Sequence, residues 1–222
     1  MVLIFDLDDT LYDELSYVKS GLRAVSHFGE LAFGWNPEES IAFMEAQLLL
    51  RGRGAIFDEW LRSHGHYSAA RVSKCVKVYR HHQPLISLFP SAARVLARYK
   101  EFLPIYLVTD GHKIVQQKKI EALGISSTFR RVIITHRFGI RHAKPSLYCF
   151  DLIRRKERCE WSQLVYVGDN PSKDFVSLNA AGSKTVRVRT GPNASALARP
   201  GYDALESIQD LSGLSTVLKA WM

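Results

Sequence analysis

Long apolar runs are missing from this 222-residue sequence. No stretch approaches the roughly 18 residues needed to cross a bilayer as a helix, so a helical membrane span is excluded. A secretory leader is not expected either, because Met1 runs straight into the apolar segment Val2–Phe5 with no basic region or small-residue cleavage site. Cysteine is scarce. Cys75, Cys149 and Cys159 are odd in number, far apart and without paired metal-ligand spacing, which argues against a disulfide framework or a zinc site and fits a reducing, cytoplasmic setting. Internal repeats and low-complexity tracts are absent. A composition of 46% hydrophobic and 23% charged residues is that of a packed globular protein rather than a disordered chain.

Acidic residues are in the minority, 22 against 30 Lys and Arg, for a net charge of +8. The excess lies after Gly111, where 18 basic residues face 9 acidic ones; up to that point the balance is 12 to 13. A basic half favours anionic ligands such as phosphate esters, although a solvated basic surface explains it equally well. The pI of about 9.5 raises nucleic-acid binding as a competing, non-enzymatic reading. No recognition motif, aromatic-basic interleaving or basic tail accompanies it, so no nucleic-acid partner is expected, nor a membrane. The sequence says nothing of oligomeric state.

Short apolar runs at Val2–Phe5, Ile105–Val108, Val132–Thr135, Leu164–Val167 and Thr185–Val188 have the length and continuity of buried parallel strands. Helical spacing between them predicts helices over Ala92–Tyr99, Lys113–Leu123, Ser146–Arg155 and Ser172–Ala181, the second and fourth closed by Gly124 and Gly182. The fold class is therefore α/β, a doubly wound parallel sheet. From Asp13 to Pro84 strand patterns vanish, and helical segments near 15–29, 37–50, 55–64 and 68–82 are set apart by Gly34, Pro37, Gly52, Gly54 and Gly65. These patterns predict a core domain of residues 1–13 and 87–222 carrying an all-helical insert, 14–86.

Three predicted strands end in acidic or hydroxyl residues: Asp6 and Asp8, Thr109 and Asp110, Gly168 and Asp169. Ligands of open parallel sheets bind beyond the carboxyl ends of the strands, so these groups should converge on one crevice. If the chain stays extended through Asp6-Leu7-Asp8, both carboxylates share one face. Two carboxylates that close require either a cation between them or one retained proton. Asp9 and Thr10 read instead as caps of the following helix. Lys144 precedes Pro145, a favoured first helical residue, and a cation there calls for a bound anion. Arg51 and Arg53, framed by glycines in the insert, are candidates for reaching an anionic or hydroxylated substrate. His112 and Lys113 lie near the crevice by position.

Phe5-Asp6-Leu7-Asp8-Asp9-Thr10-Leu11 resembles the first signature of the haloacid dehalogenase superfamily, a strand ending in Asp-x-Asp-x-Thr. Val108-Thr109-Asp110-Gly111 resembles the second, Lys144 in Ala143-Lys144-Pro145-Ser146 the third, and Gly168-Asp169 with Asp174 after four intervening residues the fourth. All four stand in the family's order, and the helical insert falls where one branch carries a mobile cap over a Rossmann-like core. The resemblance implies a magnesium-dependent phosphohydrolase. Asp6 would be the nucleophile that forms an aspartyl-phosphate, and Asp8 the general acid and then base. Thr109, Gly111 and Lys144 would bind the phosphoryl group, and Asp6, Asp8 (through its carbonyl), Asp169 and Asp174 would hold Mg2+. Halide-removing members lack the second acid, so Asp8 implies a phosphatase or, alternatively, a sugar phosphomutase. Asp110 departs from the Asn of many cap-bearing members. The implied partner is a small phosphate ester, a sugar phosphate or nucleoside monophosphate.

Overall fold

In a computed structural model that describes residues 1–221, the chain falls into two compact units, Met1–Glu14 with Ser87–Met222, and Leu15–Ile86.

The first unit is built on six parallel strands: β1 (Val2–Phe5), β2 (Ile105–Thr109), β3 (Arg131–Ile134), β4 (Leu164–Gly168), β5 (Lys184–Val188) and β6 (Glu206–Ile208), in the order β3-β2-β1-β4-β5-β6. β1, β2 and β4 are buried at every residue, as strands covered on both faces must be, which is why their sequences read as continuous apolar runs. Helices belonging to this unit are α5 (Pro90–Tyr99), α6 (Lys113–Ala122), α7 (Tyr148–Glu157), α8 (Val176–Ala180) and α9 (Leu214–Ala220); α1 to α4 lie in the second unit, apart from the first residue of α1. Phe150, Ile153, Phe175 and Leu178 pack with Ile4, Tyr106, Val108, Leu164 and Tyr166 into one core.

One strand adds to those read from the sequence, and two expected helices are corrected. The edge strand β6 has no apolar signature, because Glu206 and Ser207 are exposed and only its pairing with β5 makes it a strand. The helix expected from Ser146 starts at Tyr148; Lys144 and Pro145, joined by a cis peptide, belong to the preceding turn, so Lys144 does not sit at a helix N-terminus. The helix expected from Ser172 shrinks to α8, because residues 171–175 are taken up by a turn in which Asp174 N–H bonds the Asn170 carbonyl.

The second unit contains α1 (Glu14–Phe33), α2 (Pro37–Arg51), α3 (Ile56–Ser63) and α4 (Ala69–His81). Asn36 caps α2, its side-chain oxygen accepting from the N–H groups of Glu38 and Glu39, and Pro37 opens the helix at the position where its missing N–H costs nothing. Val18, Leu22, Val25, Met44, Trp60 and Leu61 form a separate core. Gly21 and Gly29 of α1 lie directly under rings: a Cβ at Gly29 would stand 2.6 Å from Trp60, and one at Gly21 2.3 Å from Tyr79. Among the described residues no helix is long and apolar enough to cross a membrane.

Candidate active site

The carboxyl ends of β1, β2 and β4 open on a cavity of about 410 Å³, lined by Asp6, Asp8, Asp110, Gly111 and Asp169 together with Asp9, Glu14, His136, Asn170, Lys173, Pro192 and Asn193. Asp6 follows β1 directly and its N–H bonds the Val167 carbonyl of β4 at 2.8 Å, so the sheet itself fixes its backbone. Leu7 is fully buried while Asp6 and Asp8 both line the cavity, as the extended reading of this tripeptide requires.

The two aspartates nevertheless have different surroundings. Lys144 Nζ, buried, lies 3.0 Å from Asp6 Oδ2 and 2.7 Å from Asp174 Oδ1, and donates to Tyr166 Oη at 2.8 Å. Burial works against the lysine's charge, but Asp174 and Asp6 outweigh it and hold its proton above the usual lysine range. Asp8 turns to another set of donors: Tyr12 Oη at 2.6 Å and Lys119 Nζ at 2.6 Å on Oδ1, and Gln116 Nε2 at 2.8 Å on Oδ2. Burial pushes Asp8 upward, yet the Lys119 charge and these hydrogen bonds hold it below the usual carboxylate range.

Asp6, Asp169 and Asp174 each present an oxygen within 4.8 Å of the others. Without a cation this grouping is costly. Burial, opposed by Lys144 but reinforced by Asp174, pushes Asp6 up to about 7, and burial together with the Asp6 charge pushes Asp169 up to about 8. A hard-oxygen set of this kind fits a magnesium-sized ion. Asp174 is the least free of the three, since Oδ1 takes Lys144 and Tyr166, and Oδ2 accepts the Asn170 N–H at 2.9 Å. The Asp8 carboxylate is outside the cluster.

Thr109 is fully buried, and its Oγ1 accepts from Gln116 Nε2 at 2.6 Å. Gly111 adopts φ +133, a conformation that side-chain-bearing residues rarely take. Asp110 accounts for its own departure from asparagine. Oδ1 accepts from the Thr135 hydroxyl (2.7 Å) and the Lys144 N–H (3.1 Å), while Oδ2 pairs with Lys173 Nζ at 3.3 Å, so both oxygens serve as acceptors.

Asp9 behaves as a cap, accepting the Glu14 N–H at 3.0 Å. Thr10 does not: its hydroxyl is buried and finds no partner among the described residues. Lys113 lines a separate depression with Gln117 and Arg137. Arg51 and Arg53 belong to the helical unit, where Arg51 lies 3.5 Å from Glu59.

Sequence reasoning missed Gln116 and Lys119. Both are on α6, three residues apart and so on one face, and are 1% and 2% exposed. A fully buried lysine needs a partner, and Asp8 and Glu14 (3.1 Å) supply it.

A family model for haloacid dehalogenase-like hydrolases matches residues 1–182. Among curated proteins the chain is 29% identical over 195 residues to a glyceraldehyde 3-phosphate phosphatase of Methanocaldococcus jannaschii, covering 85% of each chain. It is 28% identical over 140 residues to a phosphoserine phosphatase of Thermus thermophilus, covering 63% of this chain and 55% of that protein. Among solved structures, the HAD-hydrolase YfnB of Bacillus subtilis, bound to magnesium, superposes with a TM-score of 0.70 at 18% identity, over 98% of this chain and 97% of that one. The 2-haloacid dehalogenase of Pseudomonas syringae does so with a TM-score of 0.68 at 21% identity over the whole of both. With three of its four motifs at the ends of strands of one parallel sheet and a family match across most of its length, this chain belongs to the haloacid dehalogenase-like hydrolases.

Proposed function

We propose that this hydrolase is a magnesium-dependent phosphatase of small sugar phosphates that works through an aspartyl-phosphate on Asp6. The observation that carries the reading is the division of labour between two carboxylates two residues apart. Asp6 faces Asp169 and Lys144, whereas Asp8 is turned onto Tyr12, Gln116 and Lys119. Two carboxylates with separate sets of partners can take separate chemical roles, one within the carboxylate cluster and one beside it. The choice of substrate class rests on the curated relatives, glyceraldehyde 3-phosphate phosphatases from several archaea that span most of this chain.

In this reading Asp6 and Asp169, with the Asp8 carbonyl, would hold Mg2+, which when bound neutralises the clustered carboxylates and phosphoryl oxygens. Asp174 would act on the site through Lys144, which it grips at 2.7 Å. An Asp6 oxygen attacks phosphorus as the bond to the leaving alkoxide breaks. Lys144, Thr109 and the Gly111 N–H hold the phosphoryl oxygens as charge grows on them. As the phosphate dianion binds beside it, Asp8 takes up a proton from solvent; it delivers that proton to the leaving alkoxide and then takes one from the water that cleaves the phosphoenzyme. Arg51 and Arg53 are assigned to recognition of the leaving group.

The test is release of inorganic phosphate by the purified chain from a panel of phosphorylated metabolites, with and without Mg2+. Turnover of a triose or other sugar phosphate, with no bisphosphate activator present, is the expected result. Isomerisation of a sugar phosphate in the presence of a bisphosphate, with no phosphate released, would point to a phosphomutase instead, and turnover unaffected by excess chelator would remove the metal from the account.

A further inference from the structure

The loop that follows β5, residues 189–203, lies beyond the stretch matched by the family model, yet it touches the site at three points. Asn193 Nδ2 donates to Asp169 Oδ2 at 2.8 Å. The Thr190 hydroxyl bonds the Asp9 carbonyl. Gly191, at φ +62, is packed so closely on Asp9 that a Cβ there would stand 2.4 Å from the Asp9 carboxyl carbon.

The loop is held in turn from beneath. Arg187 of β5, fully buried, donates from Nη2 to the carbonyls of Asn193 and Ala196, both at 2.7 Å, and from Nη1 to the Asp203 carboxylate at 3.2 Å. A guanidinium offers five donors in a rigid fork, so one side chain can fix both ends of such a loop. Burying an arginine is expensive, and the bonds it makes here all serve to set where this loop lies.

We propose that Asn193, anchored by Arg187, is a positioning residue of the cation site: by occupying Asp169 Oδ2 it leaves Oδ1 as the oxygen presented to the ion. A carboxylate free to rotate can chelate, swing away or take a proton; one whose second oxygen is already engaged presents a single, oriented ligand. Partners behind a metal ligand typically contribute 10- to 100-fold in metal affinity. The inference rests on the reading of Asp6 and Asp169 as magnesium ligands.

The experiment is Mg2+ titration of the full-length chain, read by calorimetry with no substrate present, for wild type and for Asn193→Ala. Asn193 is only partly buried, so its truncation should leave the fold intact, which the melting temperature in excess chelator checks. The expected result is Mg2+ binding at least about 10-fold weaker in Asn193→Ala at an unchanged chelator melting temperature. Arg187→Met, which keeps bulk but removes the anchor, should weaken binding in the same direction while Asn193 itself is present. Asn193→Ala affinity within twofold of wild type would overturn the inference while leaving the magnesium reading intact. A wild type that binds no Mg2+ would overturn both.

Discussion

At the scale of single residues, the discriminating group is Asp8, because its two proposed tasks make different demands on different substrates. An aryl phosphate expels a stabilised phenolate that scarcely needs a proton, whereas a sugar phosphate expels a poor alkoxide. General acid help amounts to about 10² to 10⁴ in rate. Asp8→Asn should therefore slow phosphoenzyme formation by about that range from the sugar phosphate and far less from the aryl ester. The second step, where Asp8 acts as base, is common to both, so the variant given aryl phosphate should show a burst of phenol followed by slow turnover. Rapid-quench measurement decides it: equal slowing of both first steps with no burst would mean that Asp8 only positions its neighbours. The motif residues were legible because strand ends are legible: a buried parallel strand announces itself as an apolar run, and whatever polar residue terminates it must face the crevice. Gln116, Lys119 and Asn193 were not. Glutamine and lysine three apart on a helix read as a solvated face, and only the packing of α6 against the strand ends reveals that the face is buried. Asn193 sits in a Gly-Pro-Asn turn whose pattern carries no direction.

At the scale of elements, α1 carries the clearest conflict between local preference and packing. Glycine within a helix normally costs up to about 1 kcal/mol relative to alanine. Gly29→Ala should thus stabilise an exposed helix, yet here the added methyl would meet Trp60, which is itself fully buried and boxed by Trp35. The substitution is predicted to destabilise the helical unit by about 1–3 kcal/mol, the usual cost of overpacking. Urea unfolding followed by tryptophan fluorescence checks the sign, and a gain in stability would show that the ring moves aside freely. The same packing logic explains which elements were readable. The helices of the second unit carry breakers and caps in their own sequence, so their extents were close to what the spacing predicts; α7 and α8 begin late because side-chain hydrogen bonds set the preceding turns, Asp110 from the end of β2 binding the Lys144 N–H and Asp174, within its own turn, binding the Asn170 N–H. β6 exists only because β5 offers it an edge.

At the scale of the whole molecule, the carboxylate cluster ties stability to pH and to metal together. Asp6 and Asp169 are pushed up to about 7 and about 8 by burial in the absence of a cation. An acid whose pKa is raised on folding contributes stability that is intact below its ordinary value near 4 and is lost as pH rises through the raised value. In excess chelator this contribution therefore declines from about pH 4 to pH 8. His82, pushed down by burial, works in the opposite direction near its ordinary range, as does the approach to the pI of about 9.5. The difference between melting temperatures with and without Mg2+ cancels both. That difference should grow steadily from pH 5 to pH 8.5, since protons and the ion compete for the same oxygens, at about 2–4 °C per kcal/mol for a chain of this size. A difference that stays flat with pH would separate the ion from these carboxylates.

The most direct test of the account is to find where the phosphate goes. Asp8→Asn, mixed with an aryl phosphate carrying labelled phosphorus and Mg2+ and quenched in acid, should hold label on the peptide that contains Asp6, in a linkage cleaved by hydroxylamine as an acyl phosphate is. The same peptide from Asp6→Asn, or from protein mixed with the aryl phosphate in excess chelator, should carry none. A phenol burst without label on that peptide, or label that survives Asp6→Asn, would contradict the assignment of Asp6 as the nucleophile.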